Sequence, residues 1–265
     1  MSVLLKVLVG GQDIACCIEG PPDAPAVLLV HGILTDYRAW NDVAERLSGS
    51  YRVLRYDLRG HGESGASPAP YTLEQLADDV AGLLDALKLQ RVHLVGSSLG
   101  GMIGQQVGIR HGRRLLSLTL ANTAAVQGAP GAWDERAAIA RASGVTALED
   151  GMLQRWFTPG FVRRAPQEIA RIKAIMAEVS VEGFVGCANA VRDLSQLQLL
   201  AKIDVPTLVI AGDEDKATPP EQARQIVDAI AGARLVTLHA AHQAAIEQPQ
   251  AFCDAWLSFV GGIGT

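Results

Sequence analysis

Residues 91–111 read Arg91-Val-His-Leu-Val-Gly-Ser-Ser-Leu-Gly-Gly-Met-Ile-Gly-Gln-Gln-Val-Gly-Ile-Arg-His111. The apolar residues before Gly96 predict a short buried strand, and residues 102–109 predict a helix. Between them lies Gly-x-Ser-x-Gly, with Ser98 at its centre. This pattern is typical of a nucleophile elbow, a sharp strand-to-helix turn that lifts one hydroxyl clear of the sheet. Side chains at positions 96 and 100 would collide with the neighbouring strand and helix, which accounts for both glycines. The alternative interpretation is an ordinary glycine-rich turn.

The composition is that of a globular protein with a large core. The chain has 265 residues, of which 49% are hydrophobic and 19% charged, and its net charge is −5. This charge argues against nucleic acid or an anionic membrane as a partner. The apolar runs are too short to span a bilayer, and the start lacks a secretory signal. The four cysteines, Cys16, Cys17, Cys187 and Cys253, lack Cys-x-x-Cys spacing and are expected to be reduced packing residues of a cytoplasmic protein.

Hydrophobic periodicity predicts strands that alternate with helices on both sides of a purely helical block. The predicted strands cover 3–9, 13–19, 27–31, 51–56, 92–95, 115–120, 205–211 and 234–238. The predicted helices of the alternating part cover 37–48, 73–87, 102–109, 219–230 and 248–259. Four more helices are predicted within residues 125–200, at 132–142, 145–156, 166–178 and 181–193. The pattern indicates an α/β protein with a mostly parallel eight-stranded sheet wrapped by helices. Residues 1–124 and 201–265 would form the core domain, and residues 125–200 an inserted helical cap.

A serine hydroxyl becomes a good nucleophile only when a base removes its proton, and that base is usually a histidine held by a carboxylate. In this architecture the chain order is serine, acid, histidine. The loop after the strand at 205–211 offers Asp213, Glu214 and Asp215. We expect Asp215 to be the acid because it lies beyond the turn at Gly212, whereas Asp213 would brace that turn.

Six histidines compete for the role of base. Five of them end a strand or a helix, lie within a strand, or lie in a glycine-rich loop; these are His31, His61, His93, His111 and His239. His242 follows the last strand in a loop and comes after Ser98 and Asp215 in the chain. We therefore expect His242 to be the base, with His239 as the alternative that mutagenesis would reveal.

The third requirement is an oxyanion hole, whose donors are commonly backbone N–H groups. The N–H of Leu99 directly follows the nucleophile at a helix N-terminus, where free N–H groups favour an anion. The second donor should come from the turn after His31-Gly32, and we expect it to be the N–H of Ile33, with Leu34 in reserve.

Several motifs together resemble the α/β-hydrolase family over essentially the whole chain. They are His31-Gly32, Arg55-Tyr-Asp-Leu-Arg-Gly-His-Gly62, Gly96-Ser-Ser-Leu-Gly-Gly101, Ala211-Gly-Asp-Glu-Asp215 and Ala241-His242. Further stretches resemble 3-oxoadipate enol-lactonases and related esterases, namely Gly100-Gly-Met-Ile-Gly-Gln105, Leu120-Ala-Asn-Thr-Ala-Ala125, Arg155-Trp-Phe-Thr158, Gly186-Cys-Ala188 with Arg192-Asp193, and Glu247-Gln-Pro249. Enol-lactonases of this type often carry Ser-Asn where this chain has His31-Gly32.

The resemblance implies a serine hydrolase of carboxylic esters or lactones that works through an acyl-enzyme, without a cofactor and without a metal. The leading expectation is an enol-lactonase, and the alternatives are an N-acyl-homoserine lactonase and a small-ester esterase. Perhydrolysis is compatible as a side activity. A non-catalytic small-molecule receptor is the alternative from another class. We expect a small-molecule ester or lactone as the partner, and a homodimer is compatible with the sequence.

The cap would cover the carboxyl ends of the strands, where the catalytic groups should meet. Its aromatic side chains are Trp133, Trp156, Phe157 and Phe161. We expect Trp133 or Trp156 to bind substrate by lining an apolar acyl pocket, although all four could instead form the core of the cap. Basic residues of the cap, Arg155, Arg163, Arg164 and Arg192, are weaker candidates for holding a substrate carboxylate.

Overall fold

A computed structural model describes residues 3–129 and 131–263 of the chain. It contains an eight-stranded sheet with the order β1-β2-β4-β3-β5-β6-β7-β8. The strands are β1 (Val3–Val9), β2 (Gln12–Glu19), β3 (Ala26–Val30), β4 (Arg52–Tyr56), β5 (Val92–Ser97), β6 (Leu115–Ala121), β7 (Thr207–Gly212) and β8 (Arg234–Leu238). The β1–β2 and β2–β4 pairs are antiparallel and the remaining pairs are parallel. The predicted α/β fold with a mostly parallel sheet is therefore confirmed.

Helices cover both faces of this sheet. The helices of the described residues, including those of the insertion, are α1 (Asn41–Leu47), α2 (Leu73–Ala86), α3 (Leu99–His111), α4 (Gly131–Ser143), α5 (Glu149–Trp156), α6 (Pro159–Arg164), α7 (Pro166–Glu178), α8 (Val181–Arg192), α9 (Pro220–Ala229), α10 (Ala244–Glu247) and α11 (Pro249–Gly261). The sheet separates two hydrophobic cores. In β3, Leu28 and Val30 pack into one core while Val27 and Leu29 pack into the other. Successive side chains of a strand point to opposite faces, so a fully apolar strand indicates a sheet covered on both sides.

Two predicted helices begin differently in the structure, and the short helices α6 and α10 lie outside the predicted ranges. The predicted helix at 37–48 begins as a 3₁₀ turn, Tyr37–Trp40, before α1, and the helix at 145–156 begins as Val145–Leu148 before α5. Helix α6 was not predicted, because it is six residues long and buries only Phe161. Its start nevertheless has a recognisable signal, since Pro159 occupies the first turn and the side chain of Thr158 caps it.

The helical insertion, residues 125–200, leaves and rejoins the sheet at one place. Val126 and Ser195 form an isolated antiparallel bridge. Beside it, Gln127 donates its N–H to the carbonyl of Leu194 at 3.0 Å, and Gln196 donates to Ala125 at 2.8 Å. Helices α4–α8 lie between these paired segments. The division into a core domain and a cap stays a prediction.

The insertion also contacts the loop after β4 through two glycines. A Cβ on Gly60 would lie 2.3 Å from Cα of Gly183, so the two backbones touch and only glycine fits at either position. The φ of Gly60 is +70°, which also favours glycine. Ser180, which caps α8, donates both its N–H and its hydroxyl to the carbonyl of Gly60, at 3.1 and 2.9 Å. This contact joins the start of α8 to the core.

No single helix within residues 3–129 and 131–263 is both long and apolar enough to cross a membrane. Helices α7 and α8 reach that length and composition only as a pair, and they are bent by 97° relative to each other. Strand β1 is observed as predicted, although Met1 and Ser2 lie outside the described residues.

Candidate active site

The turn between β5 and α3 has the geometry of a nucleophile elbow. Ser98 adopts φ 56° and ψ −119°, an unfavourable conformation for a residue with a side chain. Gly96 and Gly100 make the turn possible, since a Cβ on Gly96 would lie 2.1 Å from the carbonyl oxygen of Gly100, and one on Gly100 would lie 2.1 Å from that of Val30. The strain is therefore carried by Ser98 itself, and the glycines provide the close approach of helix and strand.

The structure brings Ser98, His242 and Asp215 together from three separate loops. Nε2 of His242 lies 2.9 Å from Oγ of Ser98, and Nδ1 of His242 lies 2.8 Å from Oδ2 of Asp215. A carboxylate only accepts, so Nδ1 carries the proton and Nε2 is free to accept the serine proton. All three side chains are buried. The arrangement can activate a serine hydroxyl in the way that the sequence predicted.

Asp215 is held in its ionised form by a complete set of donors. Its Oδ1 accepts from the N–H groups of Ala217 and Thr218 at 2.8 and 2.9 Å, and its Oδ2 accepts from the Thr218 hydroxyl at 2.8 Å and the Asn122 amide at 3.1 Å. Burial by itself would raise the pKa of Asp215, but His242 and these donors outweigh it and lower the pKa. The carboxylate therefore stays charged and orients the imidazole.

The alternative base, His239, lies at the surface. Its side chain is 78% exposed and pairs with Asp213 at 3.1 Å. Asp213 also accepts the N–H of Ala240, so its side chain is joined to the loop after β8. Asp213, Glu214 and His239 form an exposed cluster with the spacing of metal ligands. Exposed acidic groups of this kind are common without an ion, and we assign no metal to them.

His31 and His61 organise the loop that follows β3. Nε2 of His31 accepts the N–H of Leu58 at 2.9 Å, and Nε2 of His61 accepts the N–H of Leu34 at 3.3 Å. Burial lowers the pKa of both rings, to about 3 for His31, with a further contribution from nearby His61, and to about 4 for His61. Two neutral histidines therefore act as acceptors that fix this loop.

The bond to His61 distinguishes the two candidate oxyanion donors on the loop. Leu34, the reserve candidate, already donates its N–H to His61. Among the described residues, no acceptor binds the N–H of Ile33, and Ile33 lines the same cavity as Ser98. Leu99 begins α3 directly after Ser98, where helix N–H groups have no partner within the helix. The geometry therefore favours Ile33 and Leu99, which remain proposed donors.

A cavity of about 150 Å³ opens over Ser98 and His242. It is lined mainly by apolar side chains of the insertion, of α3 and of the loops after β3 and β6, which include Ile33, Met102, Ala124, Val126, Met152, Trp133, Trp156 and Val191. Trp133 and Trp156 thus both lie on its wall, whereas Phe157 and Phe161 stack on each other with ring centroids 5.2 Å apart and do not line it. The cavity has room for a small acyl group.

Of the four basic residues considered from the sequence, the structure places only Arg155 at the cavity. Arg192 instead pairs with Asp134 and Asp193 at the surface. Arg136, which sequence reasoning missed, also lines the cavity, and its guanidinium lies 4.7 Å from the ring centre of Trp133. The spacing of Trp133 and Arg136, three residues apart on a helix, is the signal that could have identified it.

Cys16, Cys17, Cys187 and Cys253 are all buried. Burial raises the pKa of the Cys16 thiol to about 12 and that of Cys253 to about 11. None of the four lines the cavity over Ser98. As thiols they are poor nucleophiles, which agrees with a packing role.

Comparison with known proteins gives the family. The sequence profile for the alpha/beta hydrolase fold matches residues 25–249. The chain belongs to the α/β-hydrolase family. It is 35% identical over 246 residues to 3-oxoadipate enol-lactonase 2 of Acinetobacter baylyi, a match that covers 92% of each chain.

Solved structures agree with this placement among the α/β hydrolases. The enol-lactonase from Burkholderia xenovorans LB400 superposes with a TM-score of 0.95 at 39% identity, covering 97% of this chain and 100% of that one. A thermophilic esterase from Thermogutta terrifontis, solved with malate bound, superposes with a TM-score of 0.92 at 29% identity, covering 99% of this chain and 100% of that one. The predicted resemblance to enol-lactonases and related esterases is confirmed.

Proposed function

We propose that this α/β hydrolase opens lactones and cleaves small carboxylic esters through an acyl-enzyme on Ser98. That the chain is an ester or lactone hydrolase follows from its family and its enol-lactonase relatives. The observation that carries the serine mechanism is the connected set from Ser98 through His242 to Asp215, with distances of 2.9 and 2.8 Å.

In the first half of the reaction, His242 removes the proton of Ser98 while Oγ attacks the carbonyl carbon of the substrate. The charge that develops on the carbonyl oxygen is stabilised by the N–H groups of Ile33 and Leu99. The C–O bond of the ester then breaks, and His242 returns its proton to the leaving oxygen. In a lactone this oxygen remains attached to the acyl chain, so the ring opens while the acyl group stays on Ser98.

In the second half, His242 removes a proton from water, and the resulting nucleophile attacks the acyl-enzyme. The same N–H groups stabilise the second oxyanion. Collapse releases the carboxylic acid, and the proton on His242 returns to Oγ of Ser98. The Asp215 carboxylate stays ionised throughout and stabilises the imidazolium that forms twice in each cycle.

The enol-lactonase relatives make an enol-lactone such as that of 3-oxoadipate the first substrate to test. The cavity of about 150 Å³ supports this choice, because it suits a small ring better than a long acyl chain. N-acyl-homoserine lactones with short acyl chains and small esters are the next candidates, and one hydrolysis panel can rank them.

The mechanism is tested with p-nitrophenyl acetate in a stopped-flow experiment. The wild-type protein should release a burst of p-nitrophenolate equal to the concentration of active sites. Ser98→Ala and His242→Ala should each lower kcat by on the order of 10⁴-fold or more, because the groups act as a unit. His239→Ala is the matched control and should stay within about twofold of the wild type. Full activity of His242→Ala together with loss in His239→Ala would show that the base is assigned wrongly.

A further inference from the structure

Asn122 is the first residue after β6 and lies between the loops that carry the catalytic groups. In the sheet, β6 runs between β5, which leads to Ser98, and β7, which leads to Asp215. Ser98 donates its N–H to the carbonyl of Ala121 at 2.9 Å, and Asn122 donates its N–H to the carbonyl of Ile210 at 2.8 Å. The end of β6 is therefore fixed relative to both the nucleophile and β7.

The side-chain amide of Asn122 joins the loop of the acid to the loop of the base. Its Nδ2 donates to Oδ2 of Asp215 at 3.1 Å and to the carbonyl of Ala241 at 3.2 Å. The same carboxylate oxygen contacts Nδ1 of His242, and Ala241 directly precedes His242 in the chain. One amide group therefore holds both members of a pair that must stay aligned while the imidazole transfers protons.

The amide of Asn122 is kept at a cost to the folded protein. The residue is buried, and within the part of the chain that the structure describes its Oδ1 accepts no hydrogen bond. A buried carbonyl oxygen without a donor is destabilising, and an apolar side chain would avoid this. Such a side chain would also remove the two bonds that Nδ2 makes. The orientation of the amide follows from these bonds, because the flipped amide would place its oxygen against two acceptors.

The backbone of Asn122 gives a second reason for an asparagine at this position. Its φ is +45°, in the left-handed region where asparagine is more common than most residues with a side chain. A purely conformational requirement would be met at least as well by glycine. Substitution by glycine therefore separates the conformational role of the residue from the contribution of its amide.

We propose that Asn122 is a positioning residue for the acyl transfer on Ser98, which holds the Asp215 carboxylate and the loop of His242 in the arrangement that the reaction needs. The inference rests on the proposed function and adds to it a side chain that makes or breaks no bond. Asn122 does not line the cavity over Ser98, so it acts through Asp215 and not through the substrate.

The test is Asn122→Gly, which keeps the backbone conformation accessible and removes the amide. Steady-state hydrolysis of p-nitrophenyl acetate should show kcat lower by about 10-fold to 100-fold, with KM within about twofold of the wild type. The two parameters separate because His242 acts in both halves of the reaction, so formation and hydrolysis of the acyl-enzyme slow together. The melting temperature, measured alongside, reports whether the variant is folded.

A second readout is the proton NMR resonance of the His242 Nδ1–H, which is assigned by its absence in His242→Ala. In Asn122→Gly this resonance should move from its wild-type position, because the acceptor oxygen of Asp215 has lost a donor. Lys88→Gly is the matched control. Lys88 is an exposed residue after α2 with a φ of +56°, so the same substitution is made at another left-handed position. It should change neither the kinetics nor the resonance.

Asn122→Asp tests the same role if the glycine variant does not fold. It keeps the size of the side chain and tolerates a positive φ, but at pH 8 the new carboxylate can only accept and is repelled by Asp215. Its kcat should fall by at least about tenfold.

A wild-type kcat in either folded variant, or a lowered kcat with an unmoved resonance in Asn122→Gly, would overturn the positioning role and leave the Ser98 mechanism intact. Absence of a p-nitrophenolate burst with the wild-type protein would instead contradict the proposed function.

Discussion

Glu247 accepts two hydrogen bonds from Thr158, one from its N–H at 3.0 Å and one from its hydroxyl at 2.7 Å. The same buried carboxylate accepts the N–H of Ala241 at 3.1 Å. Thr158 caps α6 in the insertion, and Ala241 directly precedes His242. One side chain therefore joins the start of α6 in the insertion to the loop that carries the proposed base.

Replacing Glu247 with Gln should weaken both stability and catalysis. A glutamine can offer only one carbonyl oxygen, so it cannot accept all three bonds. We expect the free energy of unfolding to fall by about 1–3 kcal/mol, the usual cost of an unsatisfied buried group. Because the loop of His242 loses its anchor, kcat should also fall, by about tenfold. Urea unfolding and steady-state kinetics with p-nitrophenyl acetate measure the two effects.

Glu221→Gln, an exposed substitution on α9, serves as the control and should change neither quantity appreciably. A Glu247→Gln protein that is less stable but keeps the wild-type kcat would show that Glu247 only fastens the insertion and does not position His242.

The buried ring of His61 should make stability depend on pH. Its pKa is lowered from 6.5 to about 4 in the folded protein, chiefly by burial. Between these values the unfolded chain binds a proton that the folded chain does not, so stability is lost as pH falls from about 6.5 towards 4. His61→Gln removes this dependence. As pH falls through that window, the free energy of unfolding of the variant minus that of the wild type should therefore rise by about 1 kcal/mol per pH unit.

His239→Gln provides a control of opposite sign. Asp213 raises the pKa of His239, so the stabilisation from this ring is present below its unfolded pKa and is lost as pH rises through the folded one. The variant should lose stability relative to the wild type at acid pH. Urea midpoints between pH 4 and 8 measure both slopes, and parallel curves for wild type and His61→Gln would refute a neutral buried ring.

Trp133 and Trp156 should limit the length of the acyl chain. Trp133→Ala enlarges the cavity at its half-exposed side, so kcat/KM for p-nitrophenyl hexanoate relative to the acetate should rise by about tenfold. Trp156 is only 2% exposed, and Trp156→Phe is the milder change that preserves packing. The measurement is kcat/KM across the acetate, butyrate, hexanoate and octanoate, with the melting temperature of each variant.

Phe157→Leu is the matched control for the tryptophans. Phe157 is as buried as Trp156 but stacks on Phe161 outside the cavity. It should lower the melting temperature without changing the chain-length profile. If Trp133→Ala behaves in the same way, the acyl group binds elsewhere.

The sequence predicted the sheet and the groups around Ser98 because both depend on local patterns. Continuous apolar runs indicate buried parallel strands, and Gly-x-Ser-x-Gly between a strand and a helix indicates an elbow. Chain position alone is enough to predict that the loops after β7 and β8 carry Asp215 and His242, each at the carboxyl end of a strand. Parallel strands place such loops at one edge of the sheet, so no long-range information was needed.

The remaining features depend on contacts that chain position does not encode. Arg136 and Arg155 lie on different helices, and only the packing of α4 and α5 shows that both reach one cavity. Glu247 was visible as part of a motif, but its partner Thr158 lies 89 residues away. Likewise, the donation of the Leu34 N–H to His61 is visible only once the two loops meet.

The contact between Gly60 and Gly183 bears on how substrate reaches Ser98. The insertion is fastened there at the start of α8, and again at Thr158 through Glu247, in addition to its paired entry and exit segments. An insertion that is attached to the core at several separate points cannot rotate away from it as a rigid body about one hinge. We therefore expect substrate and product to pass through an opening whose backbone does not move. At this opening the side chains of Trp133 and Arg136 can change rotamer. Entry of the substrate would then be controlled by side chains that contact it, so the same residues would both admit the substrate and select it.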